Sequence, residues 1–222
     1  MPSGKRNKPK RSKKHAPTRI SKKSTFLRLS NALILVGLWG IAIAIFIVGI
    51  TLWPAIQLEL GYTAKKITAP KSLEIPQEPI DKEFGIIVPK INANAKIIPS
   101  VDPFNSVEYQ KALTKGVAHA KGSAFPGEGR NTFLFSHSSV NFFEALRYNS
   151  VFYLLSKMER GDPIDIYYRN IRYTYTVADV RTVSSSAVEY LFTVPKTETL
   201  TLMTCWPPGT TYKRLIVIAE RI

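Results

Sequence analysis

The chain opens with a polar stretch and then turns abruptly apolar. From Leu29 to Leu58 there is no charged residue, and Ala32 to Trp53 is apolar almost without interruption. A helix of a soluble protein keeps a polar stripe, whereas ALILVGLWGIAIAIFIVGITLW is apolar on every side, as a helix surrounded by hydrocarbon must be. Roughly 20 such residues cross a bilayer core, so the pattern predicts one transmembrane helix. Its apolar run continues well past Ala42 and Ala44, the only small-residue pair resembling a cleavage site, which favours a retained anchor over a cleaved signal peptide. Residues 59–83 then lose apolar periodicity and carry Pro70, Pro76 and Pro79 among polar residues, the composition of an extended linker.

From Phe84 the pattern changes to short apolar or alternating runs. Gly85–Val88, Thr132–Phe135, Leu200–Thr204 and Leu215–Ala219 read as strands, and Asp165–Tyr168 with Ile171–Val177 flank Arg169–Asn170 as a hairpin. Helical signals are few: Ser106 is placed to cap a short helix through Leu113, and residues 141–157 have room for one or two further turns. The fold class expected is mainly β, with short strands and close-spaced turns building a barrel or a sandwich over 84–222. Asp102–Pro103–Phe104 reads as a turn.

Charge changes the picture of the first segment. The chain carries a net +15, but eleven of its Lys and Arg residues fall before residue 29 with no acid among them, and the remaining 20 basic residues face 16 acidic ones. The basicity therefore belongs to a tail and not to a nucleic-acid-binding surface. A basic flank on one side of a span places that flank in the cytoplasm and the rest outside. The expected organisation is a cytoplasmic tail at 1–28, a signal anchor at 29–58, an extracytoplasmic linker at 59–83 and a working domain at 84–222. Trp39 then lies within the span and Trp53 nearer its outer interface. No nucleic-acid partner is expected.

Candidate chemistry centres on one residue. Cys205 is the sole cysteine, so it has no partner for an internal disulfide and is either buried and inert or kept for reactivity. It ends the alternating run Thr199–Thr204 and is followed by Trp206–Pro207–Pro208–Gly209, which cannot continue a regular ladder. That places the thiol at a strand end, where rigid sheets commonly display reactive groups. A thiolate needs a basic or cationic neighbour, and an oxyanion needs donors. His15 lies in the tail and is excluded by topology. His137 follows the apolar strand Phe133–Ser136 at a strand end, while His119 is equally compatible with a packed or a surface imidazole. Arg214 begins the strand after Cys205, and a loop that turns back would return its guanidinium beside the thiol.

These residues carry a family resemblance. Thr201–Leu202–Met203–Thr204–Cys205 resembles the TLxTC motif of sortases, and Arg214 matches the arginine at the start of that family's next strand. Phe135–Ser136–His137–Ser138 resembles the segment of the catalytic histidine, Ile87–Val88–Pro89–Lys90–Ile91 the opening strand, and Gly116–Val117–Ala118–His119 the segment preceding the histidine. The similarity covers about 84–222 in consistent order. It departs at Ser138, where many sortases carry Arg, and the subclass stays open.

The resemblance implies a sortase-like β-barrel and a cysteine transpeptidase with catalytic His137, Cys205 and Arg214. Thr204 and Trp206 are the expected substrate-binding residues. The implied partners are proteins with an LPXTG-like sorting signal, an amine acceptor on a cell-wall precursor or pilin lysine, and the membrane. No cofactor or metal is implied, since Glu128, Asp162 and Asp165 are scattered acids. Two other classes compete: a cysteine hydrolase that passes the acyl group to water, and an anchored β-domain that binds an envelope partner without chemistry.

Overall fold

The computed structural model describes residues 22–68, 78–138 and 151–222. Two compact units divide the chain, one ending at Ile47 and one starting at Val48. The first element, α1 (Lys22–Thr68), carries an apolar span from Leu33 to Trp53 that is long enough to cross a membrane and has none of its surface buried. The helix continues through 59–68, where extended chain was expected. Glu59, Leu60, Ala64, Lys65 and Lys66 are good helix formers, and no proline interrupts them before Pro70. Within the larger unit, Glu59 pairs with Lys157 at 3.2 Å, and Tyr62 packs against the barrel's core. Residues 78–83 are also held: Asn94 bonds the main chain of Glu78 and Ile80, and the Asp81 carboxylate accepts the amides of Glu83 and Phe84.

Eight strands then close a barrel. They are β1 (Phe84–Val88), β2 (Ala93–Val101), β3 (Val117–Ala120), β4 (Asn131–Phe135), β5 (Pro163–Tyr168), β6 (Ile171–Ser184), β7 (Thr199–Trp206) and β8 (Lys213–Arg221). Their spatial order is β1-β2-β3-β4-β7-β8-β6-β5, with β5 returning to β1. All four sequence-predicted strands and the hairpin are present. Arg169 and Asn170 have φ of 51° and 63°, the doubly positive turn that suits the twist of a two-residue hairpin. The pattern did not reveal β2 and β3. The first mixes Lys96, Pro99 and Ser100 into its run, and the second is only four residues long.

Alternation of side chains across the barrel wall sorts the core into two parts. Leu134, Leu200, Leu202, Leu215, Val217 and Ala219 belong to the large inner cluster. Phe133, Phe135, Ala118, Ala120 and Val101 form a smaller outer cluster, with Met203 packed against it. This outer cluster lies under α2 (Ser106–Leu113) through Leu113 and Tyr109, and under α3 (Glu189–Phe192) through Tyr190 and Leu191. The cap of α2 is Asn105 and not Ser106: its side chain accepts the Glu108 amide, a bond an extended residue just before the helix is placed to make. Of the expected turns at 141–157, a short 3₁₀ segment at Leu155–Lys157 is present, and 141–150 lie outside the described residues.

Candidate active site

The strand order brings together sequence segments that are about 70 residues apart. β4 and β7 run parallel, with Phe135 opposite Met203. Past this pair the Ser136 amide donates to the Met203 carbonyl at 3.2 Å, and the Thr204 hydroxyl donates to the Ser136 carbonyl at 2.9 Å. Continuing that register by two residues sets His137 alongside Cys205. On the other side β8 runs antiparallel, and Cys205 is the direct partner of Arg214. Cys205 thus lies in the middle of a row, between Arg214, its partner on β8, and the position that this extended register gives His137, two residues past the end of β4.

Parity decides which face they share. On β7, Leu200 and Leu202 point to the inner cluster, so Thr201, Met203 and Cys205 point outward. Phe135 and Arg214, two residues before His137 and directly across from Cys205 respectively, share that outer face. All three residues of the row are half-buried, neither sealed in the core nor open to solvent on all sides. Arg214 donates from Nη1 to the carbonyls of Thr211 and Lys213, each at 3.2 Å, which holds its side chain at the β7–β8 connection.

Thr204 and Trp206 occupy the alternate positions and lie on the opposite face of β7. Thr204 is 2% exposed and its hydroxyl is committed to Ser136, tying the chain before His137 to the strand that carries Cys205. Trp206 is half-buried against the inner cluster and precedes a cis bond to Pro207. Ser138 is buried beside the row.

His119 is placed elsewhere and is fully engaged. It is 1% exposed, its Nδ1 accepts the Ser100 amide at 3.2 Å, and its Nε2 lies 3.0 Å from the Ala124 carbonyl and 2.9 Å from the Ser123 hydroxyl. An amide only donates and a carbonyl only accepts, so Nδ1 is bare and Nε2 carries the proton. Burial holds its pKa below the ordinary histidine value, against the pull of Ala124 and the distant Glu128 charge. Its ring stacks on Phe125 with centroids 4.4 Å apart. This is a packed, neutral imidazole with both nitrogens committed.

No group of three or more His, Cys, Asp or Glu side chains gathers into a metal-binding set among the described residues. Glu128 bonds Arg130 and the Phe125 amide, Asp162 pairs with Lys90, and Asp165 holds Arg172 through both oxygens.

One residue of the outer face had no place among the candidates read from the sequence. Asn131, 4% exposed at the start of β4, accepts the hydroxyls of Thr199 and Thr201 on one amide oxygen and donates to the Tyr190 carbonyl. The legible signal was a polar residue opening an apolar strand, matched by threonines at alternate positions of β7.

Comparison with known proteins bears on the family and the fold. A family model described as the sortase domain matches residues 86–222. Sortase D of Bacillus subtilis (strain 168) is 28% identical over 142 residues, covering 62% of this chain and 63% of that protein, so the match spans just under two thirds of that relative's length. Among solved structures, a lid mutant of sortase A from Corynebacterium diphtheriae superposes with a TM-score of 0.53 at 26% identity, covering 69% of this chain and 74% of the other. Sortase C1 of GBS Pilus Island 1 gives 0.53 at 25% identity, covering 75% and 80%. With the family model spanning the barrel from its first strand to its last, the chain belongs to the sortase family.

Proposed function

We propose that this sortase is a membrane-anchored cysteine transpeptidase that cleaves an LPXTG-like sorting signal and transfers the acyl group to an amine. The observation that supports it most is strand register: Arg214 is the cross-strand partner of Cys205, and the parallel pairing of β4 with β7, extended by two residues, brings His137 to the level of Cys205. In this reading residues 1–28 are cytoplasmic, 29–58 anchor the chain, 59–83 link it to the domain, and 84–222 work outside the membrane.

The Cys205 thiolate attacks the carbonyl carbon of the Thr–Gly bond and forms a tetrahedral oxyanion. Collapse breaks the C–N bond, and His137 gives its proton to the departing glycine amine. A thioester between Thr and Cys205 remains. An incoming amine attacks that thioester, loses a proton to His137, and expels the thiolate as the new amide forms. Imidazole suits both steps because it gains and loses a proton near neutral pH. Arg214 supplies directional donors to the oxyanion or to the substrate backbone. Thr204 and Trp206 flank the nucleophile but turn their side chains inward, so substrate contact from them comes through main-chain groups, including amides able to face an oxyanion. The acceptor is an amine of a cell-wall precursor or a pilin lysine.

The test is mass spectrometry of the detergent-solubilised chain incubated with an LPXTG-type peptide, with and without diglycine or hydroxylamine. The expected products are a thioacyl adduct on Cys205, a transfer product with diglycine, and a hydroxamate ending at Thr. Cleavage giving only the free acid in the presence of every amine would make the protein a hydrolase. No adduct and no cleavage would leave a binding domain.

A further inference from the structure

The segment between β6 and β7 carries α3 and lies against the outer face of the barrel. Tyr190 and Leu191 pack on the cluster that contains Phe135 and Met203, and those two residues stand two positions before His137 and Cys205 on their strands. The segment is therefore a wall beside the row. A wall of this kind needs a tether, because α3 is only four residues long, has no side-chain cap and buries none of its residues fully.

Asn131 supplies the tether. Its amide oxygen accepts from Thr199 at 3.1 Å and from Thr201 at 2.9 Å, while its amide nitrogen donates to the Tyr190 carbonyl at 3.3 Å. The two threonine bonds fix the orientation of the amide, so the nitrogen can only face Tyr190. The Tyr190 hydroxyl has a second hold on Arg181, itself paired with Asp179. The side chain of Asn131 is nearly sealed from water, so its bond to the segment competes little with solvent.

We propose that Asn131 is a positioning residue, resting on the transpeptidase reading above, that holds the α3 segment against β4 and β7 and thereby sets affinity for the peptide substrate and not the rate of the chemical steps. It touches none of the reacting groups: it stands six positions before His137, and its partner Thr199 six before Cys205. Loss of the tether lets the segment leave the face, so part of the binding energy of any peptide goes into restoring it.

Asn131→Asp separates the two functions of the amide. Aspartate still accepts both threonine hydroxyls but presents an acceptor to the Tyr190 carbonyl. In full-length protein in detergent, amide exchange read by mass spectrometry should become about tenfold faster over residues 186–196 and stay unchanged in β4 and β7. With an LPXTG-type fluorogenic peptide, KM should rise about three- to tenfold with kcat within about twofold of wild type. Should the aspartate variant fail to fold, Asn131→Ala combined with Thr199→Val and Thr201→Val leaves no orphaned hydroxyl. It is then compared with the Thr199→Val/Thr201→Val pair, which keeps the Asn131 nitrogen as a donor for the Tyr190 carbonyl but no longer fixes the amide's orientation, so faster exchange over 186–196 in the triple variant than in the pair is the expected result. Unchanged exchange in 186–196, or a fall in kcat at constant KM, overturns the proposal. A wild type that processes no peptide sinks the transpeptidase reading, while the exchange comparison still decides the tether.

Discussion

Acidification should weaken this protein through His119. Protonating Nδ1 would set its new N–H against the Ser100 amide that now donates to it, and would put a charge where the ring is 1% exposed. The folded-state pKa therefore lies below the unfolded value near 6.5. Below about pH 6.5 the unfolded chain takes up a proton that the folded chain refuses, so stability present above that value is lost as pH falls. The limiting slope is about 1.4 kcal/mol per pH unit for one proton. Between about pH 7.5 and 5.5 the unfolded-state midpoint limits this to at most about 1.4 kcal/mol. His119→Phe keeps an aromatic ring against Phe125 but orphans the Ser100 amide and the Ala124 carbonyl. The Ala124 carbonyl, on a residue 2% exposed, costs about 1–3 kcal/mol when left unsatisfied, and the amide of the exposed Ser100 adds less, so the variant should lose about 1–3 kcal/mol at neutral pH. Ser123 keeps Ala120 as an acceptor and adds little. The assay is urea unfolding of the detergent-solubilised chain followed by Trp206, the one tryptophan in the barrel. Wild type should show the pH slope and His119→Phe should not. Equal slopes in both, or a flat wild type, would refute the assignment of a buried neutral imidazole.

Cys205→Ala should abolish both peptide cleavage and the thioacyl adduct with its urea midpoint little changed, and a variant that still cleaves would end the nucleophile assignment. His137→Ala should remain alkylatable at Cys205 yet turn over peptide at least about a hundredfold more slowly, whereas folded His119 variants should turn over at near wild-type rates; the reverse ranking would exchange the two histidines' roles. Arg214→Lys keeps the charge but loses the planar fork, so kcat/KM should fall about tenfold or more with stability within about 1 kcal/mol; near wild-type turnover would reduce Arg214 to a general electrostatic role. A reporter fused after Ile222 should be accessible outside intact cells and one placed before Lys5 should not, and protease protection of the domain would invert the topology.

What the sequence determined by itself was whatever depends on local order. Thirty uncharged residues beside a basic tail led to the expectation of a span with its basic flank inside, because the transfer of charge into hydrocarbon is costly wherever the segment ends up, and the apolar helix fits a single-pass anchor. Short apolar or alternating runs identified β1, β4, β7 and β8, and Arg169–Asn170 identified a hairpin, because strand pleat and turn geometry act over a few residues. The motif ending at Cys205 and the spacing to Arg214 were legible because an antiparallel return places those two residues together through one short loop. Tertiary structure decided the rest. That β4 runs parallel to β7, so that His137 and not His119 continues toward Cys205, depends on a strand pairing across nearly 70 residues that no local pattern encodes. Burial of His119 among Phe84, Phe125 and three polar partners is likewise a product of closure of the barrel. The inward turn of Thr204 and Trp206 follows from the same closure, since alternation says that neighbours face opposite ways but only a closed wall says which way is in. Asn131 shows the limit most plainly: its three bonds reach two threonines and a carbonyl about 60 to 70 residues away, and only the packed barrel brings them within hydrogen-bonding distance.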